Sequence, residues 1–333
     1  MGFSLNLTEF KNIFEELKKE YTVYAPKLFK NKGTYSDTNM VRYDEIHDIE
    51  DIEFDQKSHY SPKEVILPIT QTLFYFTEDE VIEPKFNDKK ILIFLRSCDI
   101  HAVKRLDEIY LKNGGEDYYY RRLREKVKFV LMQCEKSFEN CFCVSMNTNE
   151  TKDYSLFIKR KGDILFIEVK EEEFLSYLHN GKSEEVSPSF IEKNEVTANV
   201  PKDLDISIFK SPIWEEYASR CIACGRCNTV CGTCGCFTMQ DIFYKDNVNT
   251  GERRRVWASC QVDGFTTMAG GHEFRKDKGD RMRFKVMHKI YDFNKRFGYH
   301  MCVGCGRCDD ACPEYISFSN CVNKLNKVVK GEI

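Results

Sequence analysis

Two copies of one cysteine pattern constrain this chain more than anything else in it. The first copy is Cys221-x2-Cys224-x2-Cys227-x3-Cys231. The second is Cys302-x2-Cys305-x2-Cys308-x3-Cys312, with Pro313 following. Bacterial ferredoxins use this run to hold [4Fe–4S] clusters. Three cysteines at i, i+3 and i+6 can wrap three corners of a cubane. The fourth begins a helical turn that points away and reaches the other cluster. The spacing therefore predicts crossed ligand sets: Cys221, Cys224, Cys227 and Cys312 for cluster I, and Cys302, Cys305, Cys308 and Cys231 for cluster II. Gly225, Gly304 and Gly306 suit a backbone that must curl closely around sulfide. Gly232 follows Cys231 where the ferredoxin run has proline, a position that ligates nothing.

A zinc-stabilised interaction scaffold is the competing reading. Zinc ribbons pair C-x2-C knuckles, usually two per ion, and two four-cysteine runs of this spacing argue against them. The chain carries 16 cysteines in 333 residues, too many to be only small buried apolar side chains. No stretch of about 18 apolar residues predicts a membrane span. Met1 to Asn12 lacks the basic start and apolar run of a signal peptide. A cytoplasmic setting is the expectation, and there disulfides are rare and metal is the default use of cysteine. Lys+Arg 50 against Asp+Glu 53 leaves a formal charge of −3, not the basic balance of most nucleic-acid binders.

Cysteine and charge are both unevenly distributed. The first 97 residues hold no cysteine, four follow at Cys98, Cys134, Cys141 and Cys143, and twelve lie between Cys221 and Cys321. From residue 213 onward 19 basic residues face 14 acidic ones, whereas residues 1–212 carry 31 and 39. Pro201 and Pro212 flank this change. We expect an α/β domain over residues 1–210. An α-helical dicluster ferredoxin-like [4Fe–4S] domain is expected over 211–333, with a long insertion between its two cysteine runs. Two cubanes of about −2 each, counting thiolates, suit the basic second half. Arg226, Arg307 and the Arg253-Arg254-Arg255 run could supply that compensation, although a solvated basic face explains the triplet equally well.

Within the first domain, Leu7 to Tyr21 has the apolar spacing of an amphipathic helix. Lys90 to Leu95 and Val127 to Met132 read as buried strands, and Asp99 to Leu111 as a helix after the first of them. Tyr154 to Val169 reads as a hairpin around Lys161-Gly162-Asp163, and Glu171 to His179 as a short helix. For most of residues 1–90 a generic α/β module without chemistry is an equal reading.

The upstream cysteines follow from this layout. Cys98 ends one predicted strand, Cys134 ends the other, and Cys141-x-Cys143 comes shortly after. Ends of neighbouring parallel strands meet in an α/β sheet. Cys98, Cys134, Cys141 and Cys143 are thus candidate ligands of a third cluster, with four inert thiols as the alternative. The insertion holds Cys234, Cys236 and Cys260. These are read as cysteines buried around the clusters, a three-cysteine metal site being the other reading. Cys321 is read as core, and His272 and His288 as structural.

No G-x-G-x-x-G opens a helix and no P-loop is present, so neither flavin nor NAD is expected on this chain. No nucleophile–base constellation stands out, so no catalytic residue is assigned. Whether the isolated chain is an enzyme stays open; it reads as a relay within a larger oxidoreductase.

Residues 91–145 (ILIFLRSCDIHAVKRLDEIY through CEKSFENCFCVSM) and 221–315 (CIACGRCNTVCGTCGCFTMQD, RRRVWASCQVDGF, AGGHEFRKDKGDRMRFKVMHK, CVGCGRCDDACPEY) resemble the A subunit of anaerobic sulfite reductase. The same blocks resemble the beta subunit of cytoplasmic sulfhydrogenase-type nickel–iron hydrogenases. The hydrogenase relatives show Pro where Gly232 stands and Asp where Ala258 stands, which tilts the resemblance toward sulfite reductase. It implies an electron-transfer subunit between a flavin/NADH-binding reductase subunit and a sirohaem subunit that reduces sulfite to sulfide. The alternative is a relay in a hydrogenase complex. The C-x5-C and C-x3-C spacings of a sirohaem site arise here as by-products of the ferredoxin runs, so no sirohaem is expected on this chain. Neither nucleic acid nor membrane is an expected partner.

Overall fold

The computed structural model describes residues 1–178, 181–244 and 247–332, without the side chains of residues 247 and 248. An eight-stranded mixed sheet organises the first half. Its strands are β1 (Gly2–Asn6), β2 (Tyr21–Phe29), β3 (Met40–Glu45), β6 (Lys90–Leu95), β7 (Val127–Met132), β8 (Leu156–Lys161), β9 (Ile164–Val169) and β10 (Lys182–Ser183), in the order β10-β1-β9-β8-β7-β6-β2-β3. The central pairs β2–β6, β6–β7 and β7–β8 are parallel and the flanking pairs antiparallel.

Local chemistry accounts for the elements. Asn6 caps the helix Leu7–Glu20, accepting from the Glu9 amide while the Glu9 carboxylate accepts from the Asn6 amide. That reciprocal box satisfies two amides a helix start leaves free. Phe10, Ile13, Phe14 and Leu17 form its buried stripe against Leu92, Phe94 and Val130. On the opposite face, Ile100, Val103 and Leu106 of the helix Ser97–Leu111 pack against Ile93, Leu95 and Leu131. With both faces covered, β6 and β7 read as continuous apolar runs rather than alternating ones. Gly162, at φ +62°, closes the two-residue turn between β8 and β9. The expected helix after Glu171 is a 3-10 turn over Glu172–Tyr177, and His179 lies outside the described residues.

The second half is not all helical, contrary to expectation. The insertion between the cysteine runs is a hairpin of β11 (Phe237–Tyr244) and β12 (Asn247–Trp257). It forms a four-stranded antiparallel sheet with β4 (Thr70–Phe76) and β5 (Val81–Ile82), in the order β11-β12-β4-β5. Strands on either side of residue 210 thus share one sheet. Arg253-Arg254-Arg255-Val256 pairs on one side with Thr238–Asp241 of the same hairpin and on the other with the sequence-remote Thr70–Phe74. Around the cysteine runs the helices Ile213–Arg220, Lys278–Met287 and Phe318–Val329 enclose a separate core that includes Trp214, Tyr217, Val286 and Leu325. Among the described residues no helix is long and apolar enough to cross a membrane.

Candidate iron–sulfur centres

The two cysteine runs fold alike. Each begins in an extended loop, turns through left-handed residues and enters a one-turn helix, Arg226–Thr229 in the first and Arg307–Asp310 in the second. Gly225 (φ +73°) and Gly306 (φ +70°) stand at the helix starts, and Ala223 (φ +57°) and Gly304 (φ +65°) two residues earlier. This curl turns backbone N–H groups onto sulfur. The Ala223 amide donates to Cys221 Sγ at 3.4 Å, the Gly304 amide to Cys302 Sγ at 3.5 Å, and the Ile316 amide to Cys312 Sγ at 3.4 Å. Such hydrogen bonds stabilise charge on a ligating thiolate and tune the metal it holds.

Cys221, Cys224, Cys227 and Cys312 line one cavity, together with Cys308 and Lys285. The Cys231 sulfur is an electrostatic neighbour of Cys302, Cys305 and Cys308, and Cys312 is one of Cys221. The chain brings the eight thiols together, with Cys312 beside the first set and Cys231 beside the second. The two groups differ in depth: Cys224 is exposed, while Cys305 is buried.

Cys98, Cys134, Cys141 and Cys143 line a different cavity, together with Lys57 and Arg96. The sheet explains the convergence. β6 and β7 are parallel neighbours, so Cys98 and Cys134 leave the same edge side by side. The Cys141–Cys143 loop then docks on the second cysteine run. The Phe142 amide donates to the Gly304 carbonyl at 2.7 Å, Cys141 Sγ lies 3.4 Å from the Cys305 carbonyl, and Asn140 Nδ2 donates to Asp310 at 2.8 Å. Asn194 steadies the loop, accepting from the Val144 amide at 2.8 Å and standing 3.6 Å from Cys143 Sγ.

Donor chemistry tests whether these sites suit clusters. Burial raises the thiols of Cys98, Cys305 and Cys308 and pushes Cys302 up to about 12. A buried thiolate needs a metal or a cation beside it. Sequence reasoning missed most of the cations that the fold supplies. Lys289, 3% exposed, donates to Cys231 Sγ at 3.4 Å and to Thr233 Oγ1 at 2.6 Å. Lys285, 4% exposed, has the Cys227 and Cys308 sulfurs as its charged neighbours. Arg96 reaches Cys134 Sγ at 3.5 Å, and Lys57 stands 4.0 Å from Cys141 Sγ. Four-thiolate sets with amide and ammonium donors around them fit [4Fe–4S] clusters. No three of the described His, Cys, Asp or Glu side chains are spaced for a single metal ion.

The compensating arginines sort differently from expectation. Arg307 is buried and forks onto Asp99 at 2.6 and 3.0 Å. Arg226 is exposed. The triplet serves the second sheet: Arg253 pairs with Asp241, Arg254 with Glu252, and Arg255 with Asp117. Charge spacing alone could not distinguish these roles, because the partners of Arg253, Arg255 and Arg307 lie on other elements. Cys321 is wholly buried in the apolar core around the helices, as expected. His272 stacks edge-on against Phe274, and His288 lies along Phe284.

Fold and thiol geometry define an iron–sulfur protein of the dicluster class. A family model described as a 4Fe-4S dicluster domain matches residues 220–316. The chain is also similar over nearly its whole length to the Sulfhydrogenase 2 subunit beta of Pyrococcus furiosus. Identity is 32% over 342 residues, covering 97% of each chain. The chain belongs to this family of beta subunits, and its thiol-rich half is an iron–sulfur electron-transfer unit.

Proposed function

We propose that this chain is the electron-relay subunit of a sulfhydrogenase-type hydrogenase complex, with two ferredoxin-type clusters and a third at Cys98, Cys134, Cys141 and Cys143. The observation that carries the reading is the continuity of the thiol sets. Cys224 brings the first set to the surface, Cys312 and Cys231 interlock it with the second, and Cys141 sits against the Cys305 carbonyl. Cubanes bound there would each take up or release one electron at a time. The protein's own part is to hold the sulfurs, exclude water from the inner sets and place Lys285, Lys289, Arg96 and Lys57 beside them. The Asp99–Arg307 pair locks the helix behind Cys98 to the second cysteine run and so holds the last two sets in register. The two-domain division at residues 210 and 211 stays part of this proposal, with the four-stranded sheet as the bridge between them.

The first test is elemental. Anaerobically purified full-length protein is expected to carry about 12 iron atoms at these three sites and matching acid-labile sulfide. Replacing Cys141 and Cys143 with Ser should remove about 4 of them and leave the ferredoxin-pair signals intact. An unchanged count would refute the third site. Zinc at two or more ions per chain without iron would refute the relay altogether.

A second reading is the A subunit of anaerobic sulfite reductase, passing electrons from a flavin/NADH subunit to a sirohaem subunit. One observation favours it. A Cβ on Gly232 would stand 3.0 Å from Ala102 Cβ, so the proline of the hydrogenase relatives has no ready space here. Affinity capture from anaerobic lysate decides between them: co-purifying nickel supports the hydrogenase complex, and sirohaem absorption the sulfite reductase.

A further inference from the structure

Cys224 is the exposed one among the sixteen cysteines, and the surface beside it is shaped. Cys224 and Gly225 line an open groove of about 780 Å³. Thr238 and Met239 of β11 line it as well, together with the loop that follows β12, from Ala258 to Thr267. The fold fastens that loop to the first cysteine run. Asn228 Nδ2 donates to Ser259 Oγ at 3.1 Å, and a Cβ on Gly225 would stand only 2.8 Å from Val262 Cγ2. The groove is therefore built directly onto the first thiol set.

Its surface is apolar and short of free charge. Met239 and Val262 line it at 49% and 41% exposed. Ile222, two residues before Cys224, and Met268, next to Thr267, are exposed as well. Lys63 and Asp263 are the charged residues of the lining. Lys63 is buried and donates to the carbonyls of Asn228 and Cys234 at 3.1 and 2.9 Å, while Asp263 pairs with Arg281. β11 is the outermost strand of its sheet, and Thr238, Met239, Gln240 and Asp241 are all exposed. Native proteins protect such an edge with Lys, Pro or a covering segment. β11 contains neither Lys nor Pro, and the charge of Asp241 is paired with Arg253. Apolar surface of this kind marks a contact with another chain. The exposed cluster ligand at its side says which kind of chain, because only a redox partner gains from closeness to it. A freely diffusing carrier is steered by charge and makes a small, salt-sensitive contact. An apolar groove with its charges already paired suits a stably bound subunit instead.

We propose that the groove between Met239 and Val262 is the docking surface for a permanently bound redox subunit, one with an apolar face of its own and a one-electron cofactor held opposite Cys224. The inference rests on the relay reading and deepens it by naming where electrons cross the surface and what covers that place. One electron crosses at a time: the donor cofactor is oxidised by one as the cluster of the first thiol set is reduced by one, and no bond is made or broken. It holds for either complex the chain could serve.

The test uses the complex captured anaerobically through a tag on the full-length chain. The wild-type complex is expected to keep a flavin- or iron–sulfur-bearing partner in about 1 M salt, where charge screening acts within about 3 Å. Met239→Glu/Val262→Glu puts two carboxylates into the apolar contact and should cut the retained partner by about tenfold or more. Met239→Leu should retain it, as should Tyr35→Glu, a change at an exposed site between β2 and β3. Iron content and reduction by dithionite should be unchanged in the double variant, so that loss of partner is not loss of a cluster. Hydrogen exchange over residues 237–241 and 258–267, slower in the complex than in the free chain, reads the same contact without any substitution. Wild-type retention by the double variant overturns the proposal, and so does unchanged exchange over those residues. A wild-type complex that dissociates in salt would mean a diffusing carrier, and a variant altered only in self-association would mean a second copy of this chain; either overturns it. A wild-type chain without dithionite-reducible iron overturns the relay reading beneath the proposal, a result separate from partner retention.

Discussion

Replacing Arg307 with Met tests how the second cysteine run is fastened to the α/β sheet. Arg307 and Asp99 are 2% and 1% exposed at the side chain. The guanidinium also donates to the Ser58 carbonyl and hydroxyl, both at 2.9 Å. Methionine keeps most of the length and removes the charge. Asp99 is then left buried, with the Tyr43 hydroxyl at 3.4 Å as its side-chain hydrogen-bond partner among the described residues and the Arg96 guanidinium as its nearest remaining charge. Breaking a buried pair by removing one partner costs about 3–5 kcal/mol. A native domain commonly holds only about 5–15 kcal/mol in total. Removing both charges, with Arg307→Met and Asp99→Leu together, should recover most of the loss, because the uncompensated carboxylate is gone. Anaerobic guanidinium unfolding followed by circular dichroism measures both. A loss below about 1 kcal/mol in the single variant, or a double variant no more stable than Arg307→Met, would refute the reasoning.

Three further outcomes follow from the same geometry. Gly304→Ala places a Cβ 2.5 Å from the Phe142 carbonyl oxygen at a left-handed residue. It should cost about 2 kcal/mol or more and loosen the Cys141–Cys143 loop, seen as a lower melting temperature with faster alkylation of Cys141. Lys289→Met removes a buried cation 3.4 Å from Cys231 Sγ. It should lower one cluster midpoint potential by on the order of 100 mV in a spectroscopic redox titration, with Lys289→Arg restoring most of it. Equal potentials would show that Lys289 is only structural. Burial lowers His288 from 6.5 to about 4. The unfolded chain therefore takes up a proton below pH 6.5 that the native chain refuses until about pH 4. Stability should fall on acidification through that window, by on the order of 1 kcal/mol per pH unit at most. His288→Leu should flatten the pH dependence of the melting temperature, and an unchanged slope would contradict the assignment.

Much of this architecture was legible before folding because it is local. The Leu7–Glu20 helix shows its stripe in the spacing of Phe10, Ile13, Phe14 and Leu17, and its start in Asn6 and Glu9. β6 and β7 appear at the expected residues, since a strand covered on both faces is apolar throughout. The hairpin over β11 and β12 was not legible. Its alternation is weak, much of β11 is exposed, and β12 is held by pairing with Thr70–Phe76 from the other end of the chain.

The cysteine runs belong to the first kind and their surroundings to the second. A loop of spacing i, i+3 and i+6 specifies its curl through neighbouring dihedrals, so the residues alone pointed to two crossed thiol sets. Counter-charge has no such period. Lys63, Lys285 and Lys289 look like any surface lysines in the sequence. They become partners of sulfur only when segments from residues 60, 230 and 285 pack together. The sequence by itself determined that this chain carries ferredoxin-type thiol sets. Tertiary structure decided which further thiols converge and which buried cations face them, because electrostatic compensation depends on distance in space and not on distance along the chain.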